Sequence, residues 1–213
     1  SLDHIQQLKE KCDYVIVLYH GGKEHYRYPS PYLQKVCRKM VQKGADLVVC
    51  QHSHCVGCYE NYENSIIIYG QGNFIFNKHD NEYWNNSLLI KVEFKHKTSI
   101  EYIPIIKNKR GVLLARGQDK KDILGGFQKR SQEILKEGFI EKQYKEFSEK
   151  NIDNYLRWLS GTNKWLSRFD RYLLNGKLLK IKYNKKKLLA IQNYIECDAH
   201  RELMLQGLKC RRS

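Results

Sequence analysis

The stretch VVCQHSHCVGC, residues 48 to 58, carries two histidines and three thiols within a few positions. In extended backbone, side chains two residues apart point the same way, so His52 and His54 offer two imidazoles to one place. A His-x-His pair is weak evidence alone. It gains weight from His20, which closes another apolar run, DYVIVLY (13–19), and from Asn73, which follows a third, IIIYG (66–70). Three imidazoles and an amide suit Zn, Mn or Fe, and suit Ca or Mg less well.

Cys55 and Cys58 open rival readings: half of a structural zinc site, a redox pair, or two small hydrophobes buried behind the histidines. A site built from cysteines alone needs a second close pair, and Cys12, Cys37, Cys50, Cys197 and Cys210 supply none. Drawing all four ligands from the span His52 to Cys58 leaves little chain to turn around an ion.

The elements that would position these groups follow from the pattern. A Ser-capped helix is predicted over 1–11, and the β-branched run 13–19 reads as a buried strand feeding the loop HGGKEHYRYPS. Pro31 then starts a helix whose stripe of Leu33, Val36, Met40 and Val41 runs to Gly44, and DLVVC (46–50) is the next strand. A strand, loop, helix, strand order implies two parallel strands joined by a right-handed crossover. Both strands end on one edge, bringing His20 beside His52 and His54, at the strand ends where sheets of this kind bind ligands.

Further on, a short strand is predicted over 55–59, a turn over 61–65 and a strand over 66–70. The segments SLLIKVEF, SIEYIPII and GVLLA then read as an antiparallel meander. Together with the parallel part they predict one α/β sheet of mixed direction. Past residue 118 the strands stop. Segments 118–137, 139–160, 163–181 and 184–208 are Lys/Glu/Leu-rich with helical spacing, broken by Gly138, Gly161 and Gly176. The expected organisation is an α/β domain over 1–117 and a basic α-helical appendage over 118–213.

A chain of 213 residues can bury a real core without staples. Seven cysteines with one close pair do not form a secreted disulfide framework, which points to a reducing, cytoplasmic compartment. No apolar run is long enough to span a bilayer and the amino end lacks the order of a signal peptide, so the chain reads as soluble. It begins without Met and already in a helical pattern, as the back part of a longer protein would. Of the net charge of +15, residues 1–115 carry +4 and residues 116–213 carry +11. A field of that sign attracts anionic partners without choosing among them.

Four linked blocks stand out: His20-Gly21-Gly22 followed by Glu24; Gly44-Ala45-Asp46-Leu47-Val48 followed by His52-x-His54; Glu60-x-Tyr62; and Gly72-Asn73-Phe74. Over residues 13–77 they resemble the carboxyl-terminal half of the CapA family, the bacterial capsule and poly-gamma-glutamate synthesis proteins, a family that looks like a branch of the calcineurin-like metallophosphoesterases. The resemblance implies a calcineurin-like mixed sheet, the second half of an α/β/β/α sandwich. It implies His20, His52 and His54 as metal ligands in a centre for two divalent transition ions, Mn, Zn or Fe. Glu24 and Asn73 match family positions near the cleft, with Glu24 a proton shuttle or an orienter of His20.

Two departures qualify the likeness. Tryptophan is usual where Gly21 stands, and Gln51 replaces the Gly or His that often precedes the pair. The family's early blocks, which supply Asp, Asn, Glu and a first His ligand, are absent, so these residues hold half of a dinuclear centre. Two ions about 4 Å apart lower the pKa of a bridging water and clamp the oxygens of a phosphoryl centre. The implied function is therefore a metal-dependent phosphoesterase-like hydrolase step in capsule or exopolymer biosynthesis. The competing reading is a catalytically incomplete binding module.

Segment KLLKIKYNKKKL (177–188) interleaves lysines with apolar residues, as a solvated face of an amphipathic helix does. Its functional alternatives are docking of an anionic polymer, of a phosphorylated substrate, or of a membrane surface. Nucleic acid is disfavoured because no recognised binding-fold signature accompanies the charge. Trp158, Trp165 and Phe169 are expected to pack the appendage together. Glu196 and His200, four apart, are expected to share one helix face, as part of a salt-bridged surface or a second metal site.

Overall fold

A computed structural model of the chain describes residues 2–76, 81–94, 99–108 and 111–211. Ser1, the expected cap of the first helix, and residues 77–80, 95–98, 109–110, 212 and 213 of the expected spans lie outside the described residues.

Helix α1 (Leu2–Lys9) leads to strand β1 (Ile16–Tyr19), helix α2 (Pro31–Gln42) and strand β2 (Leu47–Cys50). The local reasons are those of the sequence. Ser30 caps α2 by accepting a hydrogen bond from the Leu33 N–H at 3.1 Å, Pro31 sits at its first turn, and Leu33, Cys37, Met40 and Val41 form its buried stripe. Gly44, at φ 106°, stops it. β1 and β2 pair in parallel, with Tyr19 opposite Cys50, so the residues that follow leave the sheet side by side.

Strands β3 (Tyr59–Tyr62) and β4 (Ser65–Ile68) complete a sheet of order β1-β2-β4-β3, with β4 parallel to β2 and β3 antiparallel to β4. The predicted strand over 55–59 is thus displaced to 59–62. Arg130 accounts for this, since its guanidinium donates to the carbonyls of Val56 (3.1 Å) and Gly57 (2.8 Å) and holds 55–58 as a loop.

A short helix α3 (Glu82–Asn85) precedes the meander β5 (Asn86–Glu93), β6 (Ser99–Asn108) and β7 (Gly111–Leu114). The meander pairs as expected but forms a second, three-stranded sheet. The single mixed sheet of the sequence reading is therefore two sheets, linked by an isolated bridge between Gly72 and Ser87, and the mixed direction of the first comes from β3.

Alternation along the central strands divides the core. Val48, Cys50 and Ile67 face α1 and α2, while Leu47, Val49 and Ile68 face the second sheet. The layers are helix, sheet, sheet, an α/β architecture. Helix α4 (Gly117–Glu133) buries Ile123 and Phe127 in the second of these clusters. The chain's compact units consequently divide at Glu146/Phe147, not at the expected 117/118.

Helix α5 (Phe139–Leu159) runs through that division. Within the second unit come α6 (Lys164–Leu173), α7 (Lys177–Lys182), α8 (Lys185–Glu196) and α9 (Asp198–Cys210). The expected helix over 163–181 is two helices because Asn175 (φ 50°) and Gly176 (φ 77°) turn left-handed. The expected helix over 184–208 breaks at Cys197, whose backbone is extended, so Glu196 and His200 lie on different helices and do not share a face. The aromatics expected to pack this region do not: Trp158 is 88% exposed, Trp165 79% and Phe169 48%. Its interior is held instead by Leu179 and by Asp170, which pairs with Arg157 at 3.6 Å and accepts from the Leu178 N–H at 2.9 Å. Among the described residues no helix is long and apolar enough to cross a membrane.

Candidate metal centre

The parallel register of β1 and β2 places His20 against His52, their ring centroids 4.6 Å apart, and His54 follows at 5.7 Å from His52. The two loops are also stitched by backbone, the His25 N–H donating to the Ser53 carbonyl at 2.8 Å. Ser53 is buried and tucked against Gly70, where a Cβ would lie 2.6 Å from its Oγ. At Gly21 a Cβ would meet the Tyr19 ring at 2.2 Å, so that ring already fills the space beside this backbone.

The tightest donor cluster among the described residues consists of Glu24, His52 and His54, one ligand atom from each lying within 4.8 Å of the others. His20 stands beside this triplet, on the His52 side. Glu24, expected as a catalytic residue or an orienter of His20, is thus placed among the donors. Its carboxylate is exposed and 4.0 Å from the Lys23 ammonium.

His54 is the most constrained of the group. Its φ of 55° is left-handed, a conformation costly for a residue with a Cβ and kept only where surroundings hold it. Asn73 supplies that hold: its Nδ2 donates to the His54 carbonyl at 3.2 Å, and its Oδ1 lies 2.7 Å from His54 Nδ1. With the amide so oriented, Oδ1 can only accept, so Nδ1 carries the proton and Nε2 keeps its lone pair free for a cation. The indole of Trp84 stacks on the imidazole at 5.5 Å and 13°. Asn73 is itself pinned from below by Lys107, whose buried ammonium donates to the carbonyls of Asn73 and Phe76. Asn73, expected as a catalytic residue near the cleft, thus bonds to His54 and orients it.

His52 is held in its neutral, ligand-competent form: burial lowers its pKa below the usual histidine value, the neighbouring His20 adds to this, and Glu24 opposes it. Its Nδ1 is buried without a hydrogen-bond partner among the described residues. An orphaned imidazole nitrogen beside a second imidazole with a free Nε2 and a carboxylate is a donor set that fits a divalent transition ion.

The thiols form no such set. Cys55 and Cys58 are fully buried and unpaired, and burial raises both, Cys55 to about 11. Among the described residues no metal-ligating cluster includes them. They pack as small hydrophobes behind the site.

Trp84 and Lys107 were not legible as site residues. Both come from the far side of the chain, and a stacked indole or a buried ammonium bound to carbonyls leaves no spacing signature.

The fold and site define an α/β protein with a histidine and carboxylate cluster on the carboxyl edge of its parallel strands. A model of the bacterial capsule synthesis protein PGA_cap family matches residues 1–78. The chain is 37% identical over 70 residues to the capsule biosynthesis protein CapA of Bacillus anthracis, covering 33% of this chain and 17% of that protein. It is 34% identical over 74 residues to the PGA biosynthesis protein CapA of Bacillus subtilis, covering 35% and 20%. Over this segment the chain is similar to the CapA proteins, and the match spans about a fifth of the length of these relatives.

Proposed function

We propose that the Glu24, His20, His52 and His54 cluster binds a divalent transition ion, Mn, Zn or Fe, and serves a metallophosphoesterase-like hydrolytic step, on a calcineurin-like fold, in the making of an anionic capsule polymer. The carrying observation is the convergence of Glu24, His52 and His54 donor atoms within 4.8 Å, with the His52 Nδ1 lacking a partner among the described residues. A bound ion would act as a Lewis acid and activate a water. The chain's own residues prepare for it: Asn73 fixes the His54 tautomer, burial keeps His52 unprotonated, and the exposed Glu24 carboxylate stands where it can ligate or take a proton.

The test is metal uptake by the purified chain, read by elemental analysis after dialysis against Zn or Mn. The expected result is a bound ion whose affinity falls by more than about a hundredfold in His52→Ala. A wild-type chain that retains no metal ends the proposal.

The net charge of +11 over residues 116–213 favours a second reading for the chain taken alone, a binding module for anionic polymer. Polymer binding would then survive His52→Ala and weaken steeply with salt.

A further inference from the structure

Within the second unit, α6 presents its faces to unexpected surroundings. Its inner edge carries Asp170, which is buried, bound to Arg157 and capping α7 through the Leu178 N–H. The broad apolar stripe of Trp165, Phe169, Tyr172 and Leu173 is left to water, with Tyr172 74% and Leu173 70% exposed. Ile181 on α7, 74% exposed, is likewise uncovered. Apolar area of this size on a short amphipathic helix is not accounted for by packing within the unit.

The charge around the stripe is one-sided. Residues 164–189 hold nine Lys and Arg and a single acid, Asp170, already engaged inside the unit. Lys164, Arg168 and Arg171 flank the stripe on α6, and Lys177, Lys180, Lys182 and Lys185–Lys187 follow. Three kinds of partner are distinguishable by chemistry. A polycarboxylate would engage the lysines but gain nothing from exposed Leu173, Ile181 or Trp165. A protein interface core is depleted in lysine. A bilayer surface with anionic headgroups uses both halves, taking aromatic and aliphatic side chains into the headgroup and acyl boundary while lysines extend to the phosphates.

We propose that the α6–α7 segment docks on an anionic membrane surface, with Trp165, Phe169 and Tyr172 inserted at the interface and the flanking lysines on lipid phosphates. The area inserted is small, so the anionic headgroups are necessary for binding and pure zwitterionic surfaces are insufficient. The interaction is peripheral and independent of the metal centre.

The experiment is sedimentation of the whole chain with vesicles of phosphatidylcholine, with and without a minority of phosphatidylglycerol, combined with tryptophan emission in lipids brominated at shallow acyl positions. Expected are partitioning to the anionic vesicles at least about tenfold stronger than to neutral ones, and bromine quenching of a component that Trp165→Phe removes. Trp165→Ser with Phe169→Ser should weaken partitioning about tenfold at unchanged circular dichroism, and Lys180→Gln with Lys186→Gln should erase most of the headgroup preference. Undiminished partitioning by the Ser variant, or emission that lipid bromine does not quench, overturns the proposal. So does tighter binding of poly-glutamate or of single-stranded DNA than of vesicles, which would assign the surface to a soluble polyanion.

Discussion

His54 shows how much of the candidate site depends on residues outside its donor cluster. Its left-handed backbone and its proton position are both set by Asn73, and its ring plane by Trp84. Removing the Oδ1 acceptor in Asn73→Ala frees the ring to rotate and to exchange tautomers, and metal affinity measured by calorimetry should drop about tenfold to a hundredfold. Asn73→Asp, which keeps an acceptor at the same place, should recover most of that loss. The three histidines were legible in the sequence because two rules suffice, alternation in extended chain for residues 52 and 54 and the parallel crossover for residue 20. The orienting partners were not, since their contacts join positions whose separation follows no period.

Among the elements, α2 is fastened to the sheet by more than its apolar stripe. Glu60 on β3 is 3% exposed, accepts from the Tyr69 hydroxyl at 2.7 Å and from Gln34 at 3.3 Å, and pairs with the guanidinium of Arg38. Tyr69 is held well above the ordinary tyrosine pKa by burial and by this carboxylate, so its hydroxyl stays a donor at any physiological pH. Glu60→Ala strands the buried hydroxyl and should cost about 2–3 kcal/mol in denaturant unfolding, whereas Glu63→Ala, in the exposed turn after β3, should be close to neutral. The Glu60-x-Tyr62 block, one of the four that carry the family resemblance, therefore includes a structural carboxylate. Strand positions were readable where burial was two-sided, as in β2, and misread at 55–59, where a distant arginine competes for the carbonyls.

Across the whole molecule the thiols test the fold directly. Cys12 and Cys210 are exposed, while Cys37, Cys50, Cys55 and Cys58 are fully buried. Ellman's reagent at neutral pH should modify the first two rapidly and the last four only on the timescale of unfolding, with the Cys55 thiolate unpopulated until pH approaches about 11. Fast labelling of Cys55 or Cys58 in the native chain would revive their candidacy as a redox or zinc pair. The division at Glu146/Phe147 was hidden from the sequence because α4 looks like its helical neighbours in composition and differs only in burying Ile123 and Phe127 against strands.

Lys107 carries one more implication. It belongs to β6, well past residue 78 where the family match stops, and yet it anchors the loop that orients His54. Trp84, too, comes from beyond that point. A minimal protein trimmed to the matched segment would keep every candidate ligand and lose the scaffolding that aims them, so the functional unit of this chain is larger than its recognisable signature.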